Sequence, residues 1–541
     1  MLMLVFGSIS SAPPRLFSVV EVDIPALVRA MAGGQTSSVE LVRSYLTRIE
    51  RYNPLLKAAI AVNPRALAVA ADLDRERARG QIRGPLHGVP IAVKDNIQTN
   101  DMPTTGGTLA FRGWVAPYEA SVVTNLRAAG AVILAKTTLT ELANWVAEDM
   151  PNGYNPVIGF SLNPYDPRPD PRPGLSGRSI IDTGGSSSGV GTAASLWAAS
   201  VGTETSGSIL SPSTETGLVG VKPTVGRISR HGIIPVSLDQ DTAGPMARTV
   251  IDAAIMLGAM EGDAPDAADP AAGRCPTPPG RDYTRFLKAD ALHGTRLGVP
   301  RQPYYRTPNP AFTAAITYAL GVMRGLGATI VDPVEIPSVS EPDPDWNLLA
   351  WPICAGARGG RGADGHCSVV LKYGMRRDFT RWLGSLGSRA PVVRLSALRE
   401  WNRAHVGEGA LRFGQAALDI SDEMDEVQDR NRYEADRARD LVMTTTHGID
   451  AVMRSSQLTA LVFPGARGAD LAARAGYPTV IVPLTLVPPV ESNQFPRGFQ
   501  PKPSPVGLSF TAQACSEPIL LGLAYAFEQA TNGRVAPTLP R

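Results

Sequence analysis

An α/β fold with one large mixed sheet, mostly parallel and covered by helices on both faces, is what the order of elements along the chain predicts. Three observations carry it. The apolar run Val89-Pro90-Ile91-Ala92-Val93 reads as a strand entering a core, EASVVTNLRAAG after it as a helix closing at Gly130, and AVILAKT as the next strand. The alternation then repeats, with AASLWAAS as helix and SVGTET as strand. Strand–helix–strand order favours parallel pairing, because parallel neighbours need a crossover connection and the crossover helices then cover the sheet.

The remaining elements follow in chain order. Ser37 begins a capping box with Glu40, and Leu41, Val42, Tyr45, Leu46 and Ile49 recur at helical spacing, which predicts an amphipathic helix outside the core. Residues 163–174, NPYDPRPDPRPG, and residues 262–282, GDAPDAADPAAGRCPTPPGRD, are rich in proline and small residues. Neither can form a helix or central strand, and both read as insertions. Residues 340–440 contain helix-like runs such as ALREWNRAHVGEGALRFGQAAL without a chemical motif, and no internal repeat is evident.

Composition narrows the function. The 52 Lys+Arg and 50 Asp+Glu residues nearly balance without a long basic run, which argues against a nucleic-acid substrate. The apolar stretch TVIVPLTLVPPV is cut by prolines and predicts no bilayer span. The start, MLMLVFGSISSAPP, has a short apolar run and no Lys or Arg before Arg15, so a cytoplasmic location is expected. Cys275, Cys354, Cys367 and Cys515 form no CxxC pair, so neither a metal site nor a cofactor is expected. Disulfides stay open, and Cys354 with Cys367 would close a short loop.

The stretch from Gly184 to Arg248 is dense in glycine and hydroxyl residues. Such a backbone turns sharply and aims N–H groups at one point, as a phosphate cradle, a nucleophile elbow or an oxyanion hole requires. No window supplies the GxxxxGK[ST] of a phosphate loop. Gly185-Ser186-Ser187-Ser188-Gly189 does fit GxSxG, with Ser187 as the elbow serine. An elbow needs a strand feeding it, and the preceding NPYDPRPDPRPGLSGRSIIDTG offers only Ile180 and Ile181.

The pieces GGSSSG, GTETSGSILSPS, GLVGVKPT, GIIP and SLDQDTAGPMAR occur in this order and together resemble the amidase signature family, as does the lysine strand HGVPIAVKDN. The similarity extends to TSSVELVRSYLTRIERYNP, GAVILAKTTLTELANW, AGYPTVIVPL and PVGLSFTAQACSEPILLGLAYAFEQAT. It implies the amidase signature fold as one domain over residues 1–541. The signature core then spans about 80–255, a variable middle about 260–450, and a C-terminal return to the core about 455–535.

The resemblance also implies a Ser-Ser-Lys triad for acyl transfer, in which Ser208 matches the nucleophile, Ser186 the bridging serine after a cis peptide bond, and Lys94 the base. Lysine takes a proton only when neutral, so its reference pKa of about 10.4 must be lowered by burial. The sequence is compatible with this, since Lys94 ends an apolar strand and only Asp95 follows as a nearby acid. Backbone N–H groups of Thr205, Ser206, Gly207 and Ser208 would receive the oxyanion. Lys222, Arg248, His87 and His231 read as structural, and Ser187 and Ser188 as helix caps.

Departures from the family pattern sharpen the reading. Ser206 and Leu210 stand where a glycine and an arginine are common, and with GSSSG and GTET they resemble the peptide-amidase-like branch. The 22 positions from Ser186 to Ser208 are fewer than usual, which places a shortening within GTAASLWAASVG and leaves Ser187 as an alternative to Ser186. The implied activity is hydrolysis of a linear carboxamide through a serine acyl-enzyme, acting on small or peptide amides. The rivals are a glutamine amidase working with a partner protein in amidotransfer, a Ser-His-Asp esterase using Ser187, and a non-catalytic binding protein on the same scaffold.

Overall fold

The computed structural model describes residues 17–175, 177–185, 188–490 and 495–540. Its strands are β1 (Ala59–Val62), β2 (Pro90–Lys94), β3 (Val132–Thr137), β4 (Tyr154–Asn155), β5 (Gly159–Phe160), β6 (Ser200–Glu204), β7 (Val219–Lys222), β8 (Thr242–Ala247), β9 (Arg296–Gly298), β10 (Thr329–Val331), β11 (Ala460–Pro464), β12 (Thr479–Val487) and β13 (Ser504–Thr511). β4 and β5 form a small antiparallel pair. The other eleven make one mixed sheet in the order β1-β3-β2-β6-β8-β7-β12-β13-β11-β9-β10. Every residue of β2, β3, β6, β7 and β8 is buried, so both faces of this region are covered, as expected for strands without a solvent face.

The parallel pairing predicted from strand–helix–strand order occupies two flanks. β3, β2 and β6 run parallel at one, and β11, β9 and β10 at the other. Between them β6, β8, β7, β12, β13 and β11 alternate in direction. The helix between β6 and β7 does provide a crossover, but β8 returns between the two strands and converts the centre to antiparallel pairing. β12 carries Pro483 in the sheet interior, and its register with β13 shifts between Pro483 and Thr485, where a residue lacking an N–H is accommodated.

Local sequence accounts for the flanking elements. Ser37 and Glu40 form both halves of the expected capping box at the start of the helix Ser38–Leu56, which buries Leu41, Val42, Tyr45 and Ile49. The helix Ser121–Ala128 stops before Gly130, whose φ is +88°. Residues 163–174 and 262–282 contain neither α-helix nor sheet strand, as their composition predicts. The middle of the chain is helical, and Phe379, Trp382, Leu383, Leu395 and Leu398 pack with Phe111, Val146 and Tyr154 in a second apolar cluster.

One predicted helix is displaced. Of the segment AASLWAAS only Ala193 is helical; the helix is Ser188–Ala193, and the chain then turns before β6. Ser195 adopts φ +52°, and Trp197 folds back onto Gly191, where an added Cβ would lie 2.0 Å from the indole. The Trp197 Nε1–H donates to Thr192 Oγ1 at 2.8 Å, while Arg248 Nη1 donates to the carbonyls of Thr192 and Trp197. Apolar periodicity suggested a longer helix, but burial of this indole and capture of the carbonyls by a distant arginine end it early.

The cysteines pair as Cys275–Cys515 and Cys354–Cys367. The first ties the proline-rich insertion at 262–282 to the segment following β13; the second is the short loop that sequence left open. No described helix is long and apolar enough to cross a membrane.

Candidate active site

Three adjacent parallel strands end side by side: β3 at Thr137, β2 at Lys94 and β6 at Glu204. In open α/β sheets, sites gather beyond such carboxyl ends, because loops and helix starts converge there. Lys94 is fully buried, and its Nζ donates to the Thr203 carbonyl at 3.1 Å. Burial lowers its pKa to about 7 against the opposing pull of Asp241 and Glu204. Among the described residues it forms no ion pair.

Asp95 is not the acid that faces Lys94. Successive side chains on a strand point to opposite faces, and Asp95 turns instead to Lys136, with Nζ–Oδ1 3.1 Å and both side chains fully buried, and to Thr105. Glu204 and Asp241 supply the negative charge near Lys94.

Beyond β6 the chain passes through Thr205, Ser206, Gly207 and Ser208 into the short helix Leu210–Glu215. Gly207 has φ +88°, which a side-chain-bearing residue adopts only with strain. The Glu204 carboxylate reaches over this turn and accepts the N–H groups of Ile209 at 2.7 Å and Leu210 at 3.0 Å, fixing the segment that carries Ser208. Among the described residues, the N–H groups of Thr205, Ser206, Gly207 and Ser208 donate to no acceptor. Thr205, Gly207 and Ser208 are half-buried, where N–H groups are seldom left unpaired, while Ser206 is exposed. A run of four beside a hydroxyl is suited to receiving a developing oxyanion.

Gly185 closes on Ser208. A Cβ placed on Gly185 would lie 2.8 Å from Ser208 Oγ and 3.8 Å from Asn152 Oδ1. Ser186 and Ser187 lie outside the described residues, as does the peptide bond before Ser186. Their neighbours Gly185 and Ser188 bracket them, Gly185 against Ser208 and Ser188 with its hydroxyl 2.6 Å from Thr137 Oγ1 at the end of β3. Among the described residues no sheet strand feeds this serine loop, and an elbow at Ser187 needs one. No histidine hydrogen-bonds to Lys94, Thr205 or Ser208 among the described residues; His87 is tied to Leu73 O and His231 stacks on Tyr118.

Leu210 is fully buried against Ala469 and Ile481, so the side chain in place of the common arginine belongs to the support of the site and not to its wall. Lys222 Nζ donates to the carbonyls of Tyr477 and Pro223, and Arg248 to those of Thr192, Trp197 and Val22, which fits their structural reading.

Several residues that sequence reasoning did not assign complete the surroundings. Asn96 Nδ2 donates to Thr203 Oγ1 at 3.0 Å, and Gln240 and Asp241 both reach Thr205. Asn96 follows Lys94 within the quoted lysine motif, and Gln240 and Asp241 lie in SLDQDTAGPMAR; position in a motif was their only signal. Asn152 had none. It donates to Asp182 Oδ2 at 3.1 Å, and both line a cavity of about 360 Å³ with Asn144, Asp170 and Arg172. The proline-rich insertion thus rims this cleft, whose lining includes Asn152, the residue 3.8 Å from a Cβ placed on Gly185. Leu142, Ala143 and Asn144 hold consecutive positive φ values of 43°, 57° and 70° at its edge, a concentration of backbone strain typical of functional sites.

Known proteins share this architecture. A crystal structure of peptide amidase from Stenotrophomonas maltophilia is 36% identical, with a TM-score of 0.81 over 98% of this chain and 100% of that one. An amidase family protein from Bacillus anthracis is 29% identical, with a TM-score of 0.80 over 96% of this chain and 93% of that one. A glutamyl-tRNA(Gln) amidotransferase component from Thermosynechococcus vestitus is 31% identical over 94% of this chain and 98% of its own length. The amidase family model matches residues 40–521, and with the ordered signature motifs it establishes that the chain belongs to the amidase signature family of amide hydrolases.

Proposed function

We propose that the protein hydrolyses linear carboxamides, C-terminal peptide amides among them, through an acyl-enzyme on Ser208. Ser208 Oγ attacks the carbonyl carbon while its proton passes through Ser186 to neutral Lys94. The carbonyl oxygen takes up the negative charge against the N–H groups of Thr205, Ser206, Gly207 and Ser208. The C–N bond then breaks as the same proton returns to the departing nitrogen. Water repeats the sequence on the ester, releasing the carboxylate and restoring Ser208.

The observation that carries this reading is Lys94, fully buried beside Glu204 and Thr203 with its pKa lowered to about 7, so that a large fraction is neutral at ordinary pH. The peptide amidase likeness favours an elongated acyl group over free glutamine. Free glutamine would bring a charged α-amino and an α-carboxylate group, whose desolvation is costly without partners. Pairing of all four cysteines suits an oxidising compartment better than the cytoplasm expected from the chain's start.

Labelling with a fluorophosphonate followed by peptide mapping tests the nucleophile. The modification is expected on Ser208; modification of Ser187 would replace this reading with the esterase one. Assays of peptide amides, anilides, esters and glutamine with the protein alone test the substrate class. Activity appearing only with a partner protein and an acceptor would favour amidotransfer, the role named for the Thermosynechococcus relative.

A further inference from the structure

We propose that the side chains of Gln240 and Asp241 form a clamp on Thr205 that aims the oxyanion-binding N–H groups, making both positioning residues for the reaction; this rests on the assignment of Ser208 as nucleophile. Thr205 is held at two atoms. Gln240 Nε2 donates to its carbonyl oxygen at 3.1 Å, and its hydroxyl donates to Asp241 Oδ1. In a planar trans peptide the C=O and the following N–H point in opposite directions, so fixing the Thr205 carbonyl fixes the direction of the Ser206 N–H.

The clamp is itself rigidly mounted. Asp241 Oδ2 accepts the N–H groups of Val236 at 2.9 Å and Ser237 at 3.0 Å, and the N–H groups of Gln240 and Asp241 return to the Ser237 carbonyl at 3.1 and 2.8 Å. This closed turn runs directly into β8, which pairs with β6 at Thr242 and Glu204. Thr205 is therefore gripped from the strand neighbouring its own. Downstream, Gly207 has the widest conformational choice of any residue type, and the Glu204 carboxylate holds the chain again at Ile209 and Leu210. Without the clamp, the backbone between Glu204 and Ile209 loses its restraint at Thr205, where a displacement of a fraction of an ångström weakens transition-state stabilisation more than substrate binding.

The test uses the purified full chain, a peptide C-terminal amide as substrate and the corresponding peptide aldehyde as probe, since its adduct with a serine places an oxygen where the oxyanion forms. Gln240→Glu and Thr205→Val are each expected to lower kcat on the order of a hundredfold. KM should stay within about threefold, and the aldehyde should weaken in parallel with kcat. Thr205→Ser, which keeps the hydroxyl bonded to Asp241, should restore most of kcat. Wild-type kcat in Gln240→Glu and Thr205→Val, with Ser208→Ala inactive, would overturn the clamp while leaving the nucleophile intact. Full activity in Ser208→Ala would overturn the underlying assignment instead. Loss of activity with undiminished aldehyde affinity, or failure of Thr205→Ser to recover, would reduce Gln240 and Asp241 to general structural support and also overturn the proposal.

Discussion

Gly185 and Ser208 touch across the centre of the site, such that a single carbon added to Gly185 would lie 2.8 Å from the Ser208 hydroxyl oxygen. The atom it meets is the end of a short rotatable side chain and not backbone, so the fold can yield by turning Ser208 aside. Gly185→Ala is therefore expected to leave the melting temperature within a few degrees of wild type. It should lower amide turnover by about a hundredfold or more, because the displaced hydroxyl no longer lies in line for attack. Fluorophosphonate labelling rates beside thermal melts check the pair of outcomes; a large drop in melting temperature would mean that the loop at Gly185, not the rotamer of Ser208, had moved.

As the proposed base, Lys94 is expected to give the activity its pH dependence. Its pKa of about 7 in the folded chain results from burial, and the ammonium below that pH cannot accept the proton of the attacking hydroxyl. Turnover is expected to rise with pH through an apparent pKa near 7, and Lys94→Ala should lower kcat by about three or more powers of ten. For stability, the folded chain binds fewer protons at Lys94 than the unfolded chain between pH 7 and the ordinary lysine value of 10.5. Its burial therefore costs stability in full below about pH 7, and the cost is relieved as pH rises toward the unfolded value. Lys94→Met should accordingly stabilise the fold at pH 6, on the order of 2 kcal/mol in urea unfolding, while abolishing activity.

Asp241 adds to this through its charge. It lies close enough to Lys94 to raise the lysine's proton affinity against the larger effect of burial. Its own carboxyl is pushed up to about 7 by burial, opposed by the Thr205 hydroxyl and the Val236 N–H. Removing the charge in Asp241→Asn leaves Glu204 as the remaining acid raising Lys94, so the acid limb of the pH profile should move to lower pH. A limb unchanged in position, whatever the fall in kcat, would show that Asp241 carries no charge during turnover.

The sequence revealed most where a residue's role depends on its neighbours in the chain. Ser37 and Glu40 cap a helix three positions apart, and Lys94 at the end of an apolar run is buried because its strand is. The run of glycines and hydroxyl residues left three chemistries open, and only its resemblance to the family signature singled out residues 205–208 as the proposed oxyanion segment. What escaped depends on distant partners. Trp197 looked like part of a helix until Gly191 supplied a place for its indole and Arg248 a donor for its carbonyl. Asp95 was the only acid near Lys94 in sequence, yet it turns away to Lys136, and the acids near Lys94, Glu204 and Asp241, come from distant segments. Asn152 and Asp182 meet across a proline-rich loop whose path no periodicity encodes.

The two disulfides should contribute unequally to stability. Cys275 and Cys515 are separated by 240 positions and Cys354 and Cys367 by 13, and a crosslink removes more conformational entropy from the unfolded chain as the loop it closes lengthens. The loop-entropy relation gives about 5 kcal/mol for the long loop and about 3 kcal/mol for the short one. Replacing Cys275 and Cys515 together by serine should therefore lower the urea midpoint further than replacing Cys354 and Cys367. The long bridge also joins the 262–282 insertion to the segment after β13, where the Cys515 N–H donates to Thr224 Oγ1 at 2.9 Å. Cys354 and Cys367 instead pack with Tyr373 and Met424 in a small cluster of the helical middle, so their loss should loosen that cluster first. Neither bridge involves Lys94 or residues 203–208, so both double variants should retain near-wild-type kcat per folded molecule below their unfolding midpoints. An equal destabilisation by the two replacements would show that the denatured chain already restricts the long loop.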